Sequence, residues 1–482
     1  MKNKQTIAIL VIIFAATLLR VWQLNRLQIL FGDAARDLLV AAQSVQAHQI
    51  PLLGIPSSVP RFHQGPLTIW LEMAVYLFAG YHLLVYGLVF AFISVLAIIL
   101  LYELLTLYTD KTIAALSAFF LAFSPLAIAH GRVPYHPTLI PLALVIYLFA
   151  LMNFWQKRKF SFFWVVLAFC FLFQFELANT PLFLLIPYIA WRRYSWRKIR
   201  LRTVGEGVLA VVIGLLPQLI YDFTHRFTHL GGFAVWVVYR IVAFFGYKQQ
   251  HVFSLQRLGG TVSDFTGYLV RVASVDNYWL AGLCGVVCLV GFGAVLLQVI
   301  QKKKVAPVLE LSLLATAILF VAYFIHSSPS EAYFPPFFIF GAIWFGVGIA
   351  KIWKQRLVGK LFASVILIIY ASFNTYAIYQ NHFFVDTSAA FNYGPSVAEQ
   401  RQVATTTALL SHGKLHYITT QPEGKFETYF DNLRWMLAEQ NVQEDQSGET
   451  FDVEPKNFAL PNASAYQHIA FPTVDVYWWH KL

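Results

Sequence analysis

Residues 31–37, FGDAARD, place two carboxylates and a guanidinium between two stretches of membrane-length hydrophobicity. If residues 33–48 are helical, Asp33, Arg36 and Asp37 fall at positions i, i+3 and i+4 on one face, and the apolar residues that follow cluster on another. Charged side chains are costly so close to a membrane and therefore require a specific reason. We expect an amphipathic helix at the membrane interface, with its charges directed into a cavity.

The composition excludes a soluble globular protein. Of the 482 residues, 58% are hydrophobic and only 12% are charged, and the mean hydropathy is +0.60. A chain of this kind is a polytopic membrane protein whose partners are membrane lipids or lipid-linked molecules. The net charge of +11 is collected in short clusters between apolar runs, where it fixes membrane orientation, so we predict no nucleic-acid partner.

Apolar runs of about 20 residues predict about twelve membrane helices, with 11–13 as the range. The segments are 6–27, 66–80, 82–108, 112–130, 137–155, 160–178, 180–191, 203–221, 279–300, 305–325, 332–350 and 357–378. Basic clusters between the later runs indicate cytoplasmic loops, and Lys2 and Lys4 place the N-terminus in the cytoplasm of a plasma-membrane protein. The topology of 66–111 stays open, because either the run 66–80 is a half-crossing or one loop defies the charge rule.

Two domains are expected. Residues 1–378 form the membrane domain, with a first outer loop at 28–65 and a large outer loop at 222–278. Residues 379–482 contain 12 Asp and Glu against 6 Lys and Arg and regain ordinary polar patterning. This composition predicts a small extracytoplasmic domain of α/β or mixed class, with a helix over residues 426–439.

The polar residues assigned to the outer side share chemistry suited to a phosphate-bearing substrate. They are Asp33, Arg36 and Asp37; Arg61, His63 and Gln64; Arg132, Tyr135 and His136; Glu176; Asp222, His225 and Arg226; and Glu331 with Tyr333. Carboxylates supply a general base, and arginines supply fixed cations for phosphate. Because there is no glycine-rich loop followed by lysine, a nucleotide site is unsupported, whereas a phosphate presented by a lipid fits.

Several short stretches, in the expected order, resemble membrane proteins similar to glycosyltransferase family 39. They are FGDAARD at 31–37, PLLGIPSSV at 51–59, FHQGPL at 62–67, Ser124-Pro125 with Gly131-Arg132 and His136-Pro137, FQFE at 173–176, PQLIYD at 217–222 with His225, and EAYFPP at 331–336. This family belongs to the GT-C superfamily, together with protein O-mannosyltransferases and lipid A aminoarabinose transferases. The resemblance implies the GT-C fold and transfer of a sugar, hexosyl or pentosyl, from a polyprenyl-phosphate donor to an unknown acceptor on the outer face.

The resemblance also implies roles for individual residues. Asp33 matches the aspartate of the first loop, the candidate base, with Asp37 as a second catalytic carboxylate. Donor-phosphate binding is assigned to Arg36, Arg132, Arg61 and His63, and the substrate cavity to Tyr135, His136, Glu176, Asp222, His225, Glu331 and Tyr333. Relatives that transfer aminoarabinose have a lysine where Gly65 stands here, which puts phosphate binding at that position in doubt.

Structural interpretations stand beside these assignments. Asp33, Arg36 and Asp37 could form a self-solvating helix end, Arg132 and His136 could anchor a helix at the headgroups, and Arg20 is expected to extend toward the interface. Asp33 and Asp37 could also hold a divalent metal, although no full ligand set is evident.

Two further functional classes remain as alternatives. One is a transporter or flippase of a lipid-linked substrate, and the other is a glycan ligase or polymerase that uses a pyrophosphate-linked donor. The first would require ionisable groups at mid-membrane, whereas the polar residues here concentrate on one side.

Overall fold

The computed structural model describes residues 2–57, 62–194, 201–246, 255–326, 330–355, 357–387, 392–419, 428–456 and 466–478. Arg61, one of the residues expected to bind phosphate, lies outside these ranges. The described part is mostly helical, and a small sheet follows near the C-terminus. This agrees with the all-α membrane class and the mixed C-terminal domain predicted from the sequence.

Residues 2–193 contain ten α-helices in their described part. They are α1 (Lys2–Val21), α2 (Leu24–Leu27), α3 (Gly32–Gln46), α4 (Leu67–Ala79), α5 (Leu83–Tyr108), α6 (Lys111–Phe123), α7 (Pro125–His130), α8 (Ile140–Trp155), α9 (Ser161–Phe175) and α10 (Leu185–Arg193). Short 3₁₀ turns at His136–Leu139 and Leu177–Leu184 precede α8 and α10. Asp110 caps α6 by accepting from the backbone N–H groups of Thr112 and Ile113, both at 2.9 Å.

Eight further helices complete the described membrane domain. They are α11 (Leu201–Gly214), α12 (Leu216–Thr224), α13 (Leu230–Phe244), α14 (Leu255–Ala273), α15 (Tyr278–Ile300), α16 (Pro307–His326), α17 (Pro335–Trp353) and α18 (Leu357–Gln380). Helix α17 is almost entirely buried, between α6 and α15. A Cβ atom on Gly348 would lie 2.1 Å from the carbonyl oxygen of Val287, so glycine is what lets α15 and α17 approach this closely.

Six described helices are long and apolar enough to span a membrane by themselves, and a seventh span is possible if the bent pair α11 and α12 crosses as one unit. Five further apolar helices have 10–17 residues. The predicted segments all contain helix, but several are broken: the run 112–130 divides at Ser124-Pro125, because proline cannot continue the preceding helix. Hydropathy therefore located the apolar segments, whereas the breaks follow from local backbone chemistry.

The region 222–278, expected as a large outer loop, is largely helical in its described residues. Helices α13 and α14 lie there, and α13 packs against α16 of the membrane domain. The sequence of α13 is apolar and contains a single arginine. An apolar run of this length is compatible both with a buried element of a loop and with a membrane helix, so the sequence did not distinguish the two.

The C-terminal domain consists of α19 (Val397–Leu410), β1 (Leu415–Ile418), α20 (Thr428–Glu439), β2 (Glu449–Pro455), β3 (Gln467–Ala470) and β4 (Val474–Trp478). The described strands form a sheet in the order β1-β2-β4-β3. Strands β1 and β2 run parallel, with Leu415 opposite Glu449, and the other pairs are antiparallel. The predicted helix at 426–439 corresponds to α20.

The C-terminal domain packs directly on the first-loop helix. Helix α20 lies against α3, and its buried Trp435 makes edge contacts with Tyr81 and Tyr86 at ring-centroid distances of 4.9 and 5.4 Å. Helix α3 is thereby enclosed between the membrane helices and the C-terminal domain.

Candidate active site

Helix α3 presents a compact ion-pair group in its first turn. Phe31 precedes it in an extended conformation, and Asp33 is the acidic residue of the first turn, where the helix dipole favours negative charge. Arg36 Nη1 lies 3.0 Å from Asp33 Oδ1, and Arg36 Nη2 lies 3.1 Å from Asp37 Oδ1. The predicted spacing therefore brings all three side chains together, with Arg36 bridging the two carboxylates.

The two aspartates differ in their exposure to solvent. The side chain of Asp33 is 46% exposed, whereas that of Asp37 is 1% exposed. A substrate can therefore reach Asp33 directly. Asp37 instead faces the protein interior, where it contacts a second group of polar side chains.

That second group is the carboxylate chain, which we define as Asp37, His136 and Glu176. His136 Nδ1 lies 3.6 Å from Asp37 Oδ2, and His136 Nε2 lies 3.7 Å from Glu176 Oε2. Glu176 also accepts a hydrogen bond from Gln64 Nε2 at 3.2 Å and caps the following turn through Ala178 N–H. Residues from α3, the 3₁₀ turn before α8 and the end of α9 thus meet at one point.

Burial and neighbouring charges shift the pKa values of the residues at this point. Burial raises the pKa of Asp37, and the neighbouring His136 and Arg36 only partly offset this effect. Burial would lower the pKa of Arg36, but the carboxylates of Asp37 and Asp33 raise it, so Arg36 stays charged. Burial also raises the pKa of Tyr135, and the surrounding carboxylates add to the rise, so its phenol stays neutral.

A separate set of polar side chains, which we call the Glu331 group, forms around Glu331. Its carboxylate lies 3.2 Å from His130 Nε2 and 3.3 Å from Arg271 Nη1, and it accepts a hydrogen bond from the hydroxyl of Tyr393. Burial would raise the pKa of Glu331, but His130 and the other donors lower it. Glu331 is therefore a carboxylate that donors from several elements hold in its charged form.

Aromatic rings connect the two polar groups. Phe31 makes an edge contact with Tyr135 at 4.9 Å and stacks on Tyr393 at 6.1 Å, while Tyr135 contacts the ring of His136 at 4.3 Å. The residue before α3 therefore links the carboxylate chain on one side to the Glu331 group on the other.

An apolar cavity of about 650 Å³ has Glu176 in its wall. Its walls come from α13, α16 and the turn after α9, and most of its lining is aliphatic or aromatic, including Leu184, Phe233, Val237, Ile318 and Val321. Polar side chains occur along it at Glu176, Tyr333, His326 and Arg240. A cavity of this composition fits a ligand with a long hydrocarbon part and a polar end.

Arg132 does not join the candidate site, although the sequence assigned it to phosphate binding. It is fully buried, and its guanidinium donates to the backbone carbonyls of Leu19, Arg20 and Leu27 at 3.3, 3.1 and 2.9 Å. Its guanidinium carbon also lies 4.2 Å from the centre of the Phe383 ring. We therefore reassign Arg132 to the structural framework.

Arg20 is likewise buried, and its guanidinium bonds within the protein. It donates to Ser94 Oγ at 2.8 Å and to the carbonyls of Ala16, Leu121 and Ala122. We call Arg20 and Arg132 the carbonyl-bound arginines.

Three further predicted residues lie apart from the carboxylate chain. Asp222 is buried and caps α13, accepting from the N–H groups of His229 and Leu230 at 2.8 Å each. His225 is exposed and stacks on Tyr221. The backbone of His63 pairs with His229, and burial lowers the pKa of its imidazole, which disfavours the cation that phosphate binding needs.

Gly65 occupies a position where a lysine would not fit. A Cβ atom there would lie 2.4 Å from Cγ of Gln174, and the Gly65 N–H donates to the Gln174 carbonyl at 2.8 Å. The absence of a side chain at Gly65 is what allows this close approach to Gln174. The adjacent Gln64, in turn, donates to Glu176.

Two further ionisable residues lie near these groups, although the sequence did not assign them to the site. Arg240 lies in the cavity wall, and its signal was a lone cation within the apolar run that forms α13. Glu72 is an ionisable residue within the apolar helix α4, and the packing of α4 against α3 brings it close to Asp37.

The residues do not fit a divalent metal held by Asp33 and Asp37, because Arg36 occupies the space between the two carboxylates. Among the described residues, no group of three or more His, Cys, Asp or Glu side chains has an arrangement that would hold a metal ion.

The family model of dolichyl-phosphate-mannose-protein mannosyltransferases matches residues 63–221. ArnT from Cupriavidus metallidurans, crystallised bound to undecaprenyl phosphate, is a similar structure, with a TM-score of 0.59 at 12% identity, covering 99% of this chain and 98% of that one. The Archaeoglobus fulgidus oligosaccharyltransferase tethered to an acceptor peptide gives a TM-score of 0.50 at 13% identity, covering 90% of this chain and 59% of that one. A comparison with curated protein sequences gives no match.

These similarities confirm the fold predicted from the sequence. The chain has the GT-C fold, with a small mixed sheet at its C-terminus, and is a multi-pass membrane protein.

Proposed function

We propose that the chain is a glycosyltransferase that moves a sugar, hexosyl or pentosyl, from a polyprenyl-phosphate donor to a lipid, glycan or protein acceptor at the outer face of the cytoplasmic membrane. The observation that carries the proposal is the position of Glu176, which belongs both to the carboxylate chain and to the wall of the apolar cavity. A lipid in that cavity would bring its polar end to the charged residues of α3. The GT-C fold and the similarity to an ArnT structure that holds undecaprenyl phosphate support this assignment.

Asp33 is the proposed general base. It is the more exposed of the two aspartates, so an acceptor hydroxyl or amine can approach it, and Arg36 fixes its orientation. Asp33 takes the acceptor proton as the acceptor atom bonds to the anomeric carbon. The bond between that carbon and the phosphate oxygen breaks, and the lipid phosphate leaves with the electron pair.

Asp37 and His136 act as positioning residues in this proposal. Asp37 holds Arg36 from the interior, and His136 connects Asp37 to Glu176 at the mouth of the cavity. A base held in one orientation accelerates transfer because the reacting atoms are already aligned.

Arg240 is the proposed cation for the donor phosphate. It lies in the cavity wall, where its Nη2 donates to the carbonyl of His326 and its guanidinium carbon stands 5.6 Å from the ring of Trp236. A guanidinium in the cavity wall is the cation that recognises phosphate and stabilises the charge that develops as the sugar leaves.

The test is mass spectrometry of the lipids that co-purify with the Asp33→Asn variant and with the unmutated chain. Disabling the base should leave the donor bound, so a polyprenyl-phosphate monosaccharide enriched on the variant supports the proposal and identifies the sugar. Asp276→Asn, an exposed carboxylate in the loop before α15, is the matched control and should show no enrichment. A pyrophosphate-linked oligosaccharide would indicate a ligase or polymerase instead, and the absence of any lipid-linked sugar would contradict the proposal.

A further inference from the structure

The segment immediately before α3 is held to the membrane domain through Arg132. The N–H of Ile29 donates to the Arg132 carbonyl at 3.3 Å, and Arg132 Nη2 donates to the Leu27 carbonyl at 2.9 Å. These bonds fix one side of the segment that leads to Asp33.

The C-terminal domain holds the other side of the same segment. The carbonyl oxygen of Leu30 accepts one hydrogen bond from Gln400 Nε2 at 2.9 Å and another from Asn432 Nδ2 at 3.1 Å. Gln400 lies on α19 and Asn432 on α20, and both side chains are buried. A carbonyl oxygen has two lone pairs, so two different helices of the C-terminal domain satisfy this single acceptor.

A third connection runs through Phe31. Its ring stacks on Tyr393, which belongs to the segment entering the C-terminal domain and whose hydroxyl donates to Glu331. Residues 30 and 31 are therefore held by contacts from α19, α20 and the segment between α18 and α19.

These contacts lie at the point that sets the orientation of α3. Leu30 is three residues before Asp33, and the first hydrogen bond of the helix runs from the Ala35 N–H to the Phe31 carbonyl at 3.0 Å. A rotation of the helix start would move the Asp33 and Arg36 side chains together. A misplacement of about 1 Å at a reacting group can cost about 10²-fold in rate.

We propose that the C-terminal domain is a positioning part of the active site, and that Gln400 and Asn432 set the orientation of α3 through the Leu30 carbonyl. This inference rests on the proposed function for its catalytic consequence, but its structural consequence is measurable without any activity. It differs from simple docking, because docking by Trp435 and the rest of α20 would stabilise the domain without orienting Asp33.

The test replaces both amides by carboxylates in the double variant Gln400→Glu, Asn432→Asp. The shapes are retained, but an ionised carboxylate cannot donate to the Leu30 carbonyl and repels it. The matched control is Gln402→Glu, which makes the same change at an exposed position of α19. The chains are compared by hydrogen exchange and by initial-rate kinetics in detergent.

In the double variant we expect amides of residues 32–37 to exchange at least tenfold faster, while amides of α20 and of α17 keep their protection. The kcat should fall at least tenfold, with the amount of co-purified donor lipid unchanged. Lowering the pH should partly restore the ratio of variant to unmutated activity, since a protonated carboxyl can donate to the carbonyl again. The Gln402→Glu control should match the unmutated chain in every readout.

Unchanged amide exchange at residues 32–37 would overturn the inference. It would also be overturned if α20 lost as much protection as residues 32–37, because the two amides would then only dock the C-terminal domain. If the unmutated chain transferred no sugar, the proposed function would fail, and the exchange result would still decide whether the C-terminal domain orients α3.

Discussion

Arg132 and His136 lie four residues apart, yet they belong to two buried groups of opposite character. Arg132 joins Arg20 among the carbonyl-bound arginines, where backbone carbonyls accept most of the guanidinium N–H groups. His136 joins the carboxylate chain, whose contacts are ion pairs of 3.6 and 3.7 Å and where Asp37 Oδ2 has no hydrogen bond among the described residues. A buried guanidinium that donates mainly to backbone carbonyls holds parts of the fold together. A buried carboxylate oxygen without a hydrogen bond among the described residues can instead accept one from another group.

The difference leads first to a prediction about Asp33. The Asp33→Asn variant should lower kcat by about 10²–10⁴-fold, the usual contribution of a general base, with a melting temperature close to that of the unmutated chain. Initial rates with a polyprenyl-phosphate sugar and thermal unfolding in detergent measure the two effects. Retention of more than half the activity would remove Asp33 from the catalytic role.

The carbonyl-bound arginines predict the reverse pattern. Arg132→Met leaves the carbonyls of Leu19, Arg20 and Leu27 without their donor, so the free energy of unfolding should fall by about 3 kcal/mol, while kcat per folded molecule changes little. Thermal unfolding measures the loss of stability, and initial rates normalised by active-site titration give kcat per folded molecule.

The control for Arg132 is Lys354→Met, which removes the exposed ion pair with Asp110 and should cost less than about 1 kcal/mol. A catalytic defect in the Arg132→Met variant, without a loss of stability, would instead place Arg132 in the active site.

A third prediction concerns pH. Because burial raises the pKa of Asp37, acidification protonates this carboxylate at a higher pH than an exposed aspartate, and its ion pair with Arg36 is then lost. The rate should fall by about tenfold per pH unit on the acid side, below a midpoint that lies above the usual aspartate range. The pH profile of kcat/KM checks this, and a midpoint at or below that range would show that Asp37 need not be ionised.

The smallest effect is expected at Glu72. It is buried beside Asp37, and neither of its oxygens has a hydrogen-bond partner among the described residues. Because burial without a partner disfavours a charged carboxylate, Glu72→Gln should change the free energy of unfolding by less than about 1 kcal/mol and the rate by less than about threefold. A loss of activity comparable to that of Asp33→Asn would make Glu72 a third member of the catalytic carboxylates.

The sequence predicted helix α3 and the shared face of its charged residues, but it did not predict which side chains surround that helix. The spacing of Asp33, Arg36 and Asp37 was enough to place their side chains together, because residues three and four apart share a helix face. The sequence did not predict that Arg132 donates to backbone carbonyls or that Asp222 caps α13, because a charged residue in an outer loop has the same sequence pattern whether it binds substrate or supports the backbone.

Hydrophobicity and spacing along the chain were enough to predict the membrane class, the positions of the apolar segments, the helix that carries Asp33 and the mixed C-terminal domain. The contacts of His136 with Asp37 and Glu176, the place of Glu176 in the wall of an apolar cavity, and the hydrogen bonds from Gln400 and Asn432 to Leu30 became visible only in the folded chain. The physical reason is that these contacts join side chains up to about 400 residues apart, and the packing of helices, not any local pattern, sets which of them meet.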